Sequence, residues 1–387
     1  MPRVVTGLER LALRGDARLE SARIGLVTNP TGITSDFRTA IDVCAQLPNA
    51  RLTALFACEH GLYGERQAGD RFEDGVDAAT GVPVYSLYGP RKAPDAATLA
   101  DVDVLLFDIQ DLGMRFYTYG STLVYVLRAC AEHGKRLLVL DRPNPLGGDV
   151  VEGGYLAPGF ESMVGAWRMP VRTGLTVGET ALMANATLGI GCDVGVVPME
   201  GWTRATEYPE TGLPWMLPSP NIPTIDTARV YGGTCLFEGT TMSEGRGTTR
   251  PFEWIGAPWL DGRRLADAMN ACGLPGVRFH PSYATPTFSK HAGALCGGVR
   301  LFVTEPARYE AVRTGLTLLH TVARLYPDDF AWLPPFKEGM RPFIDSLTGG
   351  EDVRLTIASE TGLARILDDW ARDAADWRER RKPFLQY

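Results

Sequence analysis

The sequence predicts an α/β protein: a doubly wound, mostly parallel sheet followed by a smaller α+β domain. Three observations carry this. Short, continuous apolar runs alternate with helical patterns through the first half, the mark of strands buried on both faces. Several of these runs end abruptly in carboxylates, amides and glycines. Beyond a Pro- and Gly-crowded stretch at 205–250 the order changes, with longer helical patterns around two apolar stretches. A chain of 387 residues is also long for a single core. The two parts are expected at 1–240 and 241–387.

The elements follow in order. Arg23 to Asn29 reads as a buried strand and Thr39 to Gln46 as a helix. Leu52 to Ala57 is the next strand, Val82 to Ser86 a short one, and Asp103 to Asp108 a clear one. From Ser121 to His133, the spacing of Leu123, Val126, Leu127 and Cys130 is helical. Leu137 to Asp141 and Val194 to Pro198 complete the strand set. Such repeated βα units are the doubly wound pattern. In the second part, Gly262 to Cys272, Pro306 to Leu325 and Gly362 to Arg381 read as helices. Gly276 to Phe279 and Val299 to Val303 are the apolar stretches.

Composition narrows the function. Apolar content of 45% and charged content of 22% are ordinary for a globular protein. A net charge of -7 argues against a nucleic-acid partner. Five scattered histidines and seven cysteines without a C-x-x-C pair suggest neither a metal site nor a disulfide framework. No apolar segment approaches the ~20 residues of a membrane span. The stretch Met1 to Gly7 lacks the apolar core of a signal peptide, so a cytoplasmic protein is expected. The first strand is followed by Thr28-Asn29-Pro30-Thr31-Gly32 rather than G-x-G-x-x-G, and the P-loop, H-E-x-x-H and G-x-S-x-G motifs are absent. No cofactor is expected.

The chemistry concentrates at strand ends, where open α/β sheets bind ligands. Glu59 and His60 follow Leu52 to Ala57, with Gly61 and Gly64 to turn the chain. Asp108, Gln110 and Asp111 follow the central strand, then Arg115, Tyr117 and Tyr119. Arg142 and Asn144 follow the next, and Glu152 comes shortly after. Further on, Asn221 lies in a proline-fixed loop, and Glu244, Arg246 and Thr248 in a glycine-rich charged one. Carboxylates protonate leaving groups and activate water, and aromatic rings stack on sugars. Glu59, His60, Asp108, Asp111 and Glu152 are the candidate catalytic groups. Gln110, Arg115, Tyr117, Tyr119, Arg142, Asn144, Asn221, Glu244, Arg246 and Thr248 are the candidate substrate contacts. Structural readings stand beside these: Asp108 capping a helix, or Glu244 paired with Arg246 or Arg250. Acid-rich, metal-poor chemistry favours glycoside hydrolysis, which uses two carboxyls or one plus a substrate group. A metal-dependent deacetylase of amino sugars and a non-catalytic saccharide-binding protein are the alternatives.

Taken together, these motifs resemble the exo-β-N-acetylmuramidase family of NamZ type. The match runs from Glu59-His60-Gly61 through Phe107 to Tyr119, Asp141 to Pro145, Pro218 to Asn221, Glu238 to Thr240, Ser243 to Thr248 and Pro251 to Glu253. It continues to Phe288 to His291 and Leu347 to Gly349. The resemblance implies a Rossmann-like domain with an ancillary domain and an active site between them. It also implies removal of terminal N-acetylmuramic acid from peptidoglycan glycan fragments, with Glu59 as leading catalytic residue. Leu62-Tyr63 departs from the phenylalanine and basic residue expected there. On this reading Glu59, desolvated after an apolar strand, is the general acid. Arg115, Arg142 and Arg246 are candidates for the lactyl carboxylate of muramic acid, since guanidinium binds carboxylate bidentately.

Overall fold

The protein is described here from a computed structural model, which covers residues 3–387. Met1 and Pro2, part of the N-terminal stretch read for an export signal, lie outside the described residues. The chain forms two compact units. The first comprises residues up to Val150, Gly174–Pro220 and Arg380–Tyr387, and the second Val151–Thr173 and Asn221–Glu379.

The first unit contains the expected doubly wound sheet. Its elements are α1 (Gly7–Arg14), β1 (Ala22–Thr28), α2 (Ala40–Ala45), β2 (Ala50–Ala57), β3 (Gly75–Val76), β4 (Pro83–Ser86), β5 (Val104–Asp108), α3 (Thr118–Glu132), β6 (Arg136–Leu140), α4 (Val177–Thr187) and β7 (Asp193–Val197). The strand order is β3-β4-β2-β1-β5-β6-β7, parallel except for the short edge strand β3. Chain direction across the sheet reverses between β1 and β5, which makes their carboxyl ends the topological switch point. β5 is buried along its whole length, which is why it reads as an unbroken apolar run. Ile24, Leu26, Leu106, Leu138 and Leu140 form one core with Leu8 and Leu11 of α1 and Ile41 and Cys44 of α2. α3 and α4 pack together against β6. Three helices start on reciprocal caps, Thr6 with Glu9, Thr39 with Asp42 and Thr176 with Glu179.

The second unit holds α5 (Ile225–Thr234), β8 (Trp254–Ala257), α6 (Gly262–Ala271), β9 (Val277–Ala284), β10 (Cys296–Val303), α7 (Ala311–Leu325), α8 (Phe343–Thr348), α9 (Asp352–Thr356) and α10 (Glu360–Arg381). Its antiparallel sheet has the order β8-β10-β9. The helix expected from Pro306 begins later, at Ala311, after a single 3-10 turn at Pro306–Arg308. Among the described residues no helix is long and apolar enough to cross a membrane.

Candidate active site

β2 ends at Ala57, and the next two residues carry the chain into the crevice at the sheet's carboxyl edge. His60 and Gly61 then turn it sharply, with φ of 75° and 80°. A histidine in the left-handed region is a strained placement that surrounding structure must hold. Its Nδ1 meets the Arg66 carbonyl at 3.1 Å. The turn leaves Glu59 only 9% exposed. Two donors converge on its carboxyl. The Gly69 amide donates to Oε1 at 3.2 Å and the Thr118 hydroxyl to Oε2 at 2.8 Å. The Tyr88 hydroxyl stands close to the same group, and its pKa is raised, first by burial and then by the Glu59 charge. Thr118 opens α3, so the carboxyl lies at the amino end of that helix.

The carboxylates of the central strand fare differently. Asp108 is fully buried and takes a two-pronged ion pair from Arg142, at 2.6 and 2.9 Å. Burial pushes its pKa up and the guanidinium opposes this. Each charge therefore answers the other beneath the crevice. Asp111 has no such cation. Its Oδ2 accepts the Gly113 amide at 2.6 Å, while Oδ1 is shut off from water with no hydrogen-bond partner. Burial pushes this carboxyl up to about 7. Gln110 spans two carbonyls, of Asp111 and Pro143, at 2.8 and 2.7 Å. Asn144 ties Leu175 and Leu146 together. Its amide lies where a side chain on Gly113 would begin, so only glycine fits there. Tyr119 donates to the Pro218 carbonyl at 2.6 Å and meets Tyr117 edge-on at 5.1 Å. Arg115 is fully buried.

The other candidates belong to the second unit. Glu152 pairs with Arg172 at 3.0 Å and accepts the Val312 amide at 2.9 Å, closing the start of α7. Glu244 sits between Lys290 at 2.8 Å and Arg246 at 3.3 Å, and Arg246 also holds Glu238 at 2.5 Å. The pairing of Glu244 with Arg246, one of the structural readings, is thus present. Thr248 closes its own turn on the Gly245 carbonyl at 2.6 Å, and Asn221 is buried.

Sequence reasoning missed Thr118 and Gly69, the two groups that hydrogen-bond Glu59, and Tyr88 close by. It also missed a cavity of about 440 Å³, lined by Tyr88 together with Phe72, Glu73, Asp74, Ser86, Pro90 and Arg91. That volume suits one or two sugar rings and falls within the range of small-molecule sites. The one available signal was Ser86 at the end of β4, a strand end like the others. No group of three or more His, Cys, Asp or Glu side chains among the described residues stands together as metal ligands.

Glu59 thus lies at the end of a parallel strand, with Tyr88 shared between its surroundings and a sugar-sized cavity. Residues 24–226 match the family described as exo-beta-N-acetylmuramidase NamZ, N-terminal, and residues 229–387 its C-terminal counterpart. The chain belongs to the NamZ family. The peptidoglycan beta-N-acetylmuramidase NamZ of Bacillus subtilis (strain 168) is 44% identical over 386 residues, covering 100% of this chain and 92% of that protein. A DUF1343 family protein of Bacteroides fragilis with a solved crystal structure is 34% identical and superposes with a TM-score of 0.92, each chain covered in full. A second from the same organism is 30% identical, with a TM-score of 0.76 and 99% of each chain covered.

Proposed function

We propose that this glycosidase releases terminal β-linked N-acetylmuramic acid from the non-reducing ends of peptidoglycan glycan, with Glu59 as its general acid. The supporting observation is the cradle itself. Glu59 is an almost enclosed carboxyl at a strand end, bonded by the Thr118 hydroxyl and the Gly69 amide, with the Tyr88 hydroxyl close by. A hydroxyl both donates and accepts, so the same cradle can hold the carboxylic acid before proton transfer and the carboxylate after it. The proton would pass from Glu59 to the glycosidic oxygen as the bond to C1 breaks.

Asp111 is the second carboxyl of this reading. Asp108 and Glu152 each spend their charge on an arginine, whereas Asp111 has none. Its role would be to orient the group that attacks C1, either water or the acetamido group of the sugar. Asp108, Arg142, Gln110 and Asn144 would hold the strand-end loops in place beneath the sugar.

The direct test is incubation with two glycan fragments, one ending in N-acetylmuramic acid and one in N-acetylglucosamine. Free N-acetylmuramic acid from the first, and no sugar from the second, is the expected result. Cleavage inside the chain, or equal release of both sugars, would overturn the reading.

A further inference from the structure

N-Acetylmuramic acid differs from N-acetylglucosamine by one group, the lactyl ether on C3, which ends in a carboxylate. A site that selects it needs a cation available to bind that carboxylate. The strand-end arginines of the first unit are mostly spent. Arg142 is locked to Asp108. Arg115 is fully buried. Arg91 lies between Asp74 at 2.8 Å and Asp95 at 3.3 Å, and Arg66 lies beside Glu65 at 3.8 Å.

We propose that Arg71 binds the lactyl carboxylate and so makes the site select muramic acid glycosides over glucosamine ones. The inference rests on the functional reading above and adds its specificity residue. Arg71 forms no hydrogen bond or ion pair among the described residues. Its stem passes beside Gly89, 3.9 Å from where a side chain there would begin. Gly89 directly follows Tyr88, and the Arg71 charge acts on the Tyr88 hydroxyl, which also feels the Glu59 carboxylate. Phe72 and Glu73, next along the chain, line the 440 Å³ cavity together with Tyr88. Arg71 is exposed at the edge of this lining, and Tyr88 is the lining residue that both Arg71 and Glu59 influence. The substrate has matching dimensions. Glu59 must reach the oxygen on C1, and the lactyl group leaves C3 of the same ring, so its cation belongs within a sugar's width of Glu59.

The nearby carboxylates sharpen the argument. Asp74 is answered by Arg91, and Asp70 accepts the Gln67 amide. Arg71 pairs with neither Asp70 nor Glu73, so an incoming carboxylate has no internal partner to displace.

The test is steady-state kinetics on matched aryl β-glycosides of the two sugars, for wild type, Arg71→Ala, Arg71→Lys and Lys92→Ala. Lys92, another exposed cation, follows Arg91 of the cavity lining and serves as the charge control. Loss of one charge-assisted contact is expected to lower kcat/KM on the muramic glycoside about 10- to 100-fold, chiefly through KM. The low rate on the glucosamine glycoside should not change, Arg71→Lys should keep part of the preference, and Lys92→Ala should match wild type. Calorimetric binding of free N-acetylmuramic acid to Glu59→Gln should weaken similarly when Arg71→Ala is added. Unchanged muramic acid kinetics in a folded Arg71→Ala, or an equal loss on both sugars, would overturn the inference alone. A wild type that cleaves neither glycoside would overturn the functional reading and this inference with it.

Discussion

At the residue scale, the site turns on how few partners Glu59 has and what they are. One hydroxyl and one amide bond it, a second hydroxyl stands close by, and each hydroxyl can be removed almost isosterically. Tyr88→Phe takes away the hydroxyl beside Glu59 and leaves the ring. It is expected to lower kcat on a natural disaccharide about 10-fold with a smaller change in KM, because the acid loses alignment rather than the sugar its pocket. A rise in KM with kcat intact would place Tyr88 in binding instead. Asp108 and Arg142 behave in the opposite way. They are buried together, and removing one strands the other charge. Asp108→Asn should cost about 3–5 kcal/mol of stability by urea unfolding. Replacing both by apolar residues of similar size should restore most of it. An Asp108→Asn protein as stable as wild type would show that Arg142 finds another partner.

At the scale of elements, the sheet was legible because buried parallel strands write themselves as apolar runs. Leu52 to Ala57 and Asp103 to Asp108 lie within two residues of β2 and β5. Glu59 stood out for the same reason, since a carboxyl that interrupts such a run has nowhere apolar to go. α4 and α5 were not legible. α4 carries the capping pair Thr176 and Glu179 but no clean apolar stripe. α5 carries Gly232 and Gly233 in its last turn, which read as a breaker. Those glycines serve packing. A side chain on Gly315 of α7 would begin 2.3 Å from the Gly233 carbonyl, so the two helices touch backbone to backbone. Gly315→Ala gains helix propensity yet should destabilise the second unit, about 1–3 kcal/mol after the helices part. A stabilised variant in thermal unfolding would contradict that contact. Tyr88, Thr118 and Gly69 reach Glu59 from separate loops and a helix start. Periodicity says nothing about how loops converge, so that part of the site was hidden.

At the scale of the molecule, buried acids set a pH dependence. Burial raises Asp111 to about 7 and Asp141 to about 6 from an ordinary 3.8. A raised acid contributes stability that is full below the unfolded pKa and is lost as pH rises through the folded one. These two contributions should therefore be present near pH 4 and gone above pH 7. Asp111→Asn removes the cost of charging that site. Its melting temperature relative to wild type should climb between pH 5 and 8, and a difference independent of pH would refute the buried-acid account. Activity itself is expected to survive exhaustive EDTA treatment, since no ligand cluster stands among the described residues. Loss of activity that added zinc or magnesium restores would favour a metal-dependent hydrolase.

The central claim is that Glu59 donates the proton that lets the aglycone leave. Glu59→Gln keeps the shape and removes that proton. The decisive measurement is its turnover on two substrates, a muramic acid–glucosamine disaccharide and an activated aryl muramic acid glycoside. The account predicts a loss of at least ~100-fold on the disaccharide and a much smaller loss on the aryl glycoside, whose leaving group departs without protonation. Near-normal turnover of the disaccharide, or the same loss on both substrates, would contradict it.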